Sequence, residues 1–130
     1  GGLERIGDHA RHIARIANTL PQPVLSSALP SIKRMADIGI RMVHDSLTAF
    51  VEEDVAAARE VAERDDEIDR EHRSLYQTLV DLMKEHPEWI EHGVGLMFLN
   101  RFLERLGDHV TNMCEWVVFA KTGSHLELNK

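Results

Sequence analysis

The sequence predicts an all-α protein, an antiparallel three-helix bundle with one extra helix ahead of it, and three observations predict this. Apolar residues recur at alternating spacings of three and four through successive long stretches, the core stripe of amphipathic helices. Val and Ile never cluster between turn signals with the two-residue alternation of a strand. The segment Leu3-Glu-Arg-Ile-Gly-Asp-His9 returns as Leu103-Glu-Arg-Leu-Gly-Asp-His109, and a unit of that period does not fit twice into 130 residues. The expected organisation is therefore the last helix of a preceding repeat at residues 1–22, a complete three-helix repeat at 29–123 and a loose tail at 124–130.

Each element has its own justification. In the first helix Leu3, Ile6, Ala10, Ile13, Ala17 and Leu20 form the seam, and Pro21-Gln-Pro23 ends it. A second helix is expected from Pro30, tolerated in a first turn, to about Phe50, with Ile32, Met35, Gly39, Met42, Leu47 and Phe50 inward. Glu52-Glu-Asp54 reads as a break, with Asp54 as N-cap of the next helix. Over residues 55–85, Val61, Ile68, Leu75 and Leu82 fall on one stripe with Leu79 beside them, until His86-Pro87 stops the helix. The last helix is expected over 87–122, with Leu99, Leu103, Leu106, Val110, Met113 and Val117 as its seam and Gly123 as its C-terminal stop. Gly93 and Gly95 inside it suggest a kink or a close helix crossing.

Composition narrows the function classes. A net charge of -7, with 22 acidic against 15 basic side chains, disfavours a nucleic-acid footprint and is compatible with cation binding. Cys114 is the only cysteine, so no intrachain disulfide forms and a reducing compartment is expected. The apolar runs at 96–99 and 116–120 fall far short of the ~20 residues that cross a bilayer, and no signal peptide opens the sequence. The expectation is a soluble cytoplasmic domain that meets membranes only through partners.

The repeated segment also carries a carboxylate pair. Glu104 and Asp108 lie roughly 40° apart on one helical face, Thr111 and Glu115 extend the stripe, and Asn112 sits at its edge. The first copy supplies Glu4 and Asp8, with His12 in Asn112's place. A second acidic cluster holds Asp65 and Asp69, again four apart, with His72 three further on. Carboxylates beside an amide or imidazole suit hard or borderline metal ions. If the third and last helices are neighbours, the two acid pairs meet across a groove. The bland reading is a solvated acidic face, since the Glu104 stripe is expected almost opposite the Leu103/Val110 seam. Exact reuse of the pair in two repeats weighs toward metal.

Other candidates are read structurally. His9, His109 and His72 are taken as packing or hydrogen-bonding residues, Arg5 and Arg105 as interhelical ion-pair partners, Trp89 and Trp116 as core or interface aromatics, and Cys114 as a buried inert thiol. The Glu-x-x-His pairs of ferritin-like di-metal sites are not opposite these acids, and no phosphate loop or nucleophile elbow is present. Nothing in the sequence points to an enzyme.

Taken together, Leu3-Glu-Arg-Ile-Gly-Asp-His9, Arg64-Asp-Asp-Glu-Ile-Asp69 and Leu103-Glu-Arg-Leu-Gly-Asp-His-Val-Thr-Asn112, followed by Glu115-Trp116 and Thr122-Gly123, resemble the PhoU family of phosphate-uptake regulators over essentially the whole chain. The resemblance implies two three-helix bundles, of which this chain holds the second and the last helix of the first. It implies a negative regulator of phosphate uptake linking the ATPase side of a phosphate ABC transporter to a sensor histidine kinase. Some members bind metal ions, which implies iron, zinc, manganese or nickel at acidic motifs on Glu104/Asp108 with Asn112, on Asp65/Asp69, and at a half-site on Glu4/Asp8; the seam left open at Leu3, Ile6 and Ile13 needs cover, for which a homodimer is expected. The alternatives left open are a metal-dependent enzyme or metal store, and a helical interaction module without metal.

Overall fold

A computed structural model describes Asp8, Arg11, Arg15 and residues 18–123. Ahead of Pro21 the described positions are helical apart from a bend at Leu20; the seam residues Leu3, Ile6, Ala10, Ile13 and Ala17 lie outside them. Then come α1 (Gln22–Glu52), α2 (Val55–Glu63), α3 (Asp65–Glu85), a 3-10 turn (Pro87–Trp89) and α4 (Ile90–Thr122). α2 and α3 scarcely touch each other while both pack on α1 and α4, so they form one arm of an antiparallel three-arm bundle.

Local chemistry punctuates the chain as expected. Glu53 adopts a left-handed backbone with φ 53° and ends α1, and the Asp54 carboxylate accepts from Ala57 N–H at 3.0 Å to cap α2. His86 closes α3 ahead of Pro87, and Gly123, with φ 72°, closes α4. Three boundaries differ. α1 begins at Gln22 rather than Pro30, with Pro21 and Pro23 opening the helix instead of preceding it. Pro30 therefore lies in the helix interior, a cost of ~3 kcal/mol that burial of Val24 and Ala28 helps to offset. The arm expected as one helix over 55–85 breaks at Arg64, and a 3-10 turn takes the place of the first turn of the last helix.

Two seams also differ from expectation. α1 buries Val24, Ala28, Ser31, Met35, Gly39, Met42, Ser46 and Ala49, whereas Leu47 is 50% and Phe50 59% exposed. Small residues are inward because the helices approach closely: a Cβ on Gly39 would stand 3.1 Å from Leu106 Cδ2. The buried Ser46 hydroxyl is satisfied by donating to Val43 O at 2.8 Å. On α4 the buried face runs through Leu96, Leu99, Asn100, Leu103, Gly107, Val110, Thr111, Cys114 and Val117/Val118. Met113 is outside this seam, Leu106 is half-buried and Trp116 is 66% exposed, so Trp116 is not a core aromatic. The seam is turned by about half a residue step toward Glu104, which decides the character of the acid stripe. Of the two glycines near the start of α4, Gly93 is a close crossing, since a Cβ there would meet Met83 Sδ at 2.5 Å, while Gly95 has open space.

Close packing on α1 gives a direct test. Ser46→Leu should destabilise by ~1–3 kcal/mol through overpacking, while Leu47→Ala, on the exposed side, should cost under ~1 kcal/mol. Urea unfolding of the two variants measures this, and the opposite ranking would place the seam at Leu47/Phe50.

Candidate metal centre between α3 and α4

α3 opens with Asp65, Asp66 and Glu67, acids that suit the positive end of the helix dipole. Asp65 continues inward the stripe of Ile68, Leu75 and Leu79, and is itself only 2% exposed. It fits because Gly107 of α4 faces it: a Cβ at Gly107 would stand 2.3 Å from Asp65 Oδ1 and 3.2 Å from Ile68 Cδ1. The glycine of the repeated motif is thus the notch that admits a carboxylate from the neighbouring helix. Neither Asp65 oxygen has a hydrogen-bond partner, although both are buried. An unpaired buried carboxylate is costly unless it is protonated or meets a cation.

The surrounding charge sharpens that demand. Burial first, then Asp69, Asp108, Asp66 and Glu104, push the Asp65 carboxyl up to about 7. Asp69 is also raised, by burial and then by Asp108 and Glu104, against a smaller opposing effect of Arg73. The nearest cation in sequence, Arg64, is committed elsewhere: it bonds Asp45 at 2.5 Å and Glu60 at 3.3 Å. Arg34 likewise engages Glu71 with two bonds of 2.8 and 3.2 Å. Asp65 and Asp69 of α3 thus feel Glu104 and Asp108 of α4 across the helix interface, with Arg64 and Arg34 engaged by other acids.

The structure brings Asp69, Glu104 and Asp108 within electrostatic reach of Asp65. The acid stripe of α4 does not face water as expected: Glu104 and Asp108 are half-buried, and Thr111 is fully buried with its hydroxyl donating to Gly107 O at 3.0 Å. Asn112 is exposed and outside the buried face. Asp8 is exposed and ion-paired with Arg11, while Glu4, His9 and His12 lie outside the described residues. Arg105 and His109 are exposed. Cys114 is buried, and burial pushes its thiol up to about 11, in keeping with an inert core cysteine.

His72 is the residue that sequence reasoning undervalued. Its Nε2 lies 2.8 Å from Glu104 Oε2, and its Nδ1 is buried with no partner, so it is not the satisfied histidine expected. The available signal was spacing: Asp65, Asp69 and His72 sit on successive turns of one face. Among the described residues no three His, Cys, Asp or Glu side chains stand close enough together to hold a metal ion as they are placed. Oxygen-rich chemistry with one imidazole at its edge fits a divalent or trivalent ion.

Comparison with known proteins agrees with this architecture. The family model described as PhoU domain matches residues 32–117. A phosphate-specific transport system accessory protein PhoU homolog of Clostridium acetobutylicum is 34% identical over 127 residues, covering 98% of this chain and 58% of its own length. Its counterpart of the same description in Zymomonas mobilis is 36% identical over 126 residues, 97% of this chain and 53% of its own. The crystal structure of the phosphate transport system regulatory protein PhoU from Streptococcus pneumoniae matches with a TM-score of 0.80 at 31% identity, over 96% of this chain and 59% of that one. The chain thus spans little more than half the length of these relatives.

The raised Asp65 carboxyl makes stability depend on pH in a definite direction. Between an unfolded value of ~3.9 and the folded value of about 7, the folded state holds a proton that the unfolded state has shed. Stability of the metal-free protein should therefore fall as pH rises from ~4 to ~7 and flatten above that range. Asp65→Asn removes the effect, so its melting temperature relative to the parent, measured with chelator present, should be higher at pH 8 than at pH 5. An equal difference at both pH values would mean that Asp65 ionises freely in the fold.

Proposed function

The chain belongs to the PhoU family, and we propose that it acts as a cytoplasmic regulator of phosphate uptake and phosphate-starvation signalling, with the α3–α4 groove holding metal ions. The observation that carries the metal reading is the buried, unpartnered Asp65 carboxylate, admitted by Gly107 and surrounded by Asp69, Glu104 and Asp108. The shared description of its relatives as accessory proteins of phosphate-specific transport supports the regulatory reading. Regulation would run through protein contacts with the phosphate ABC transporter, at its ATPase subunit, and with a sensor histidine kinase. No helix among the described residues is long and apolar enough to cross a membrane, which suits attachment through partners.

A bound ion would supply positive charge beside the Asp65 carboxylate, whose two buried oxygens have no partner. The chain's own residues do the rest. Asp65 and Asp69 offer oxygens from α3, Glu104 and Asp108 offer them from α4, and Gly107 keeps the two helices close enough for one site to draw on both. Such a site ties the second arm of the bundle to the third, so occupancy would stiffen the surface that partners meet. A homodimer is part of this proposal, supported by the apolar side chains left outside the fold, Phe98 and Trp116 on α4 among them. Turnover is not part of it.

Elemental analysis of the purified protein, without added metal, tests the metal reading: Glu104→Ala/Asp108→Ala should carry less iron, zinc, manganese or nickel than the parent. Equal content would remove the groove as the site. The regulatory reading is tested in a strain lacking the gene, where a phosphate-repressed reporter should stay active in high phosphate and be silenced again by the restored gene. A reporter that remains repressed in the deletion strain would exclude it.

A further inference from the structure

We propose that His72 is a nitrogen ligand of the ion held in the α3–α4 groove and that Asn100 is its positioning residue. The proposal rests on the metal reading above and adds to it a donor of a different chemical kind. His72 follows Asp69 by one turn on α3, and its Nε2 points across to α4, 2.8 Å from Glu104 Oε2. Two ligands bound at ~2.0–2.1 Å to one ion stand roughly 3 to 3.4 Å apart, so this nitrogen and oxygen need open by about half an ångström or less to share an ion. Glu104 belongs to the acid row already, which places His72 at its end.

The second observation is a pair of buried atoms without partners. Asn100, 1% exposed and one turn before Glu104 on α4, donates its Nδ2 to His72 O at 2.9 Å. Its Oδ1 is buried and unpartnered, and so is His72 Nδ1. An imidazole that gives Nε2 to a metal carries its proton on Nδ1, and that N–H requires an acceptor. Asn100 Oδ1, likewise unpartnered and on the side chain that already grips the His72 backbone, would be that acceptor. Metal binding through Nε2 would thus use both orphaned atoms, while the metal-free hydrogen bond to Glu104 uses neither.

An imidazole among carboxylates changes which ions the groove prefers. Nitrogen suits zinc, iron and nickel, whereas an all-oxygen set suits magnesium, calcium and manganese. The experiment titrates the chelator-stripped chain with Zn2+ and, separately, with Mn2+, for the parent and His72→Gln, which keeps a hydrogen-bonding group near Glu104 but has no imidazole. The expected result is a loss of roughly 10- to 100-fold in Zn2+ affinity with Mn2+ affinity changed less than about 3-fold. Equal losses for both ions, or no loss for Zn2+, would overturn the assignment and leave His72 as a structural partner of Glu104. Zinc-edge X-ray absorption on the loaded parent reads the same question without a variant: imidazole scattering is expected, and a purely oxygen shell overturns the proposal. A parent that takes up neither ion overturns the metal reading itself, and the His72 assignment with it, so the two failures are told apart in the parent sample.

Discussion

The seating of the Asp65 carboxylate against the bare backbone of Gly107 is the contact on which the candidate site depends. Burying an ionisable group without a hydrogen bond is costly in a domain whose net stability is ~5–15 kcal/mol. The fold accommodates it by removing a side chain opposite and leaving the charge to be answered by a proton or a cation. A second notch works at the far end of the same interface. Met83 of α3 lies where a Cβ on Gly93 would be, so α3 and α4 are keyed together at Asp65/Gly107 and Met83/Gly93. Two such notches, running antiparallel, fix the register of the helices, and register is what places Asp69 and His72 beside Glu104 and Asp108.

Two arginines of the bundle are engaged with acids outside that groove, whereas Arg73 acts on Asp69 within it. Arg64 adjoins Asp65 in sequence, yet its guanidinium is held by Asp45 on α1 and Glu60 on α2. Arg34 on α1 is held by Glu71 on α3. Ion pairs at or near the surface contribute little to stability. Their consequence here is electrostatic: these two guanidinium groups are engaged with other acids, and the effect of Arg73 on Asp69 is smaller than those of Asp108 and Glu104.

The class of fold and its punctuation were legible in the sequence because they rest on local chemistry. Asp54 caps α2, Pro87 stops α3 and Gly123 ends α4, each through its own backbone preference. The inward faces were less legible. Ranking by hydrophobicity prefers Leu47 and Phe50 to Ser46 and Ala49, whereas the distance between helices selects by size, and that distance is a property of the assembled bundle. The same blindness made the Glu104 stripe read as solvated, because an error of about half a residue step in the α4 seam moves a half-buried acid into water. The repeated acid pair was visible as a motif. The burial of Asp65 and the engagement of His72 were not, since both depend on what α4 presents opposite α3.

The repeated segment can now be read residue by residue as an instruction to two neighbours at once. Leu103 is core, and Leu106 reaches toward α1, where a Cβ on Gly39 would stand 3.1 Å from its Cδ2. Gly107, the next residue, faces the other way and receives Asp65 from α3. Glu104 and Asp108 flank that glycine on the α3 side, so the small residue and the two acids serve one purpose: the notch brings a carboxylate in, and the flanking carboxylates meet it. A solvated acidic face would require neither the glycine nor its spacing from the acids. The motif therefore couples packing to chemistry, and substituting its glycine would disturb the α3–α4 register and the acid row together, even though Gly107 itself has no side chain to offer either.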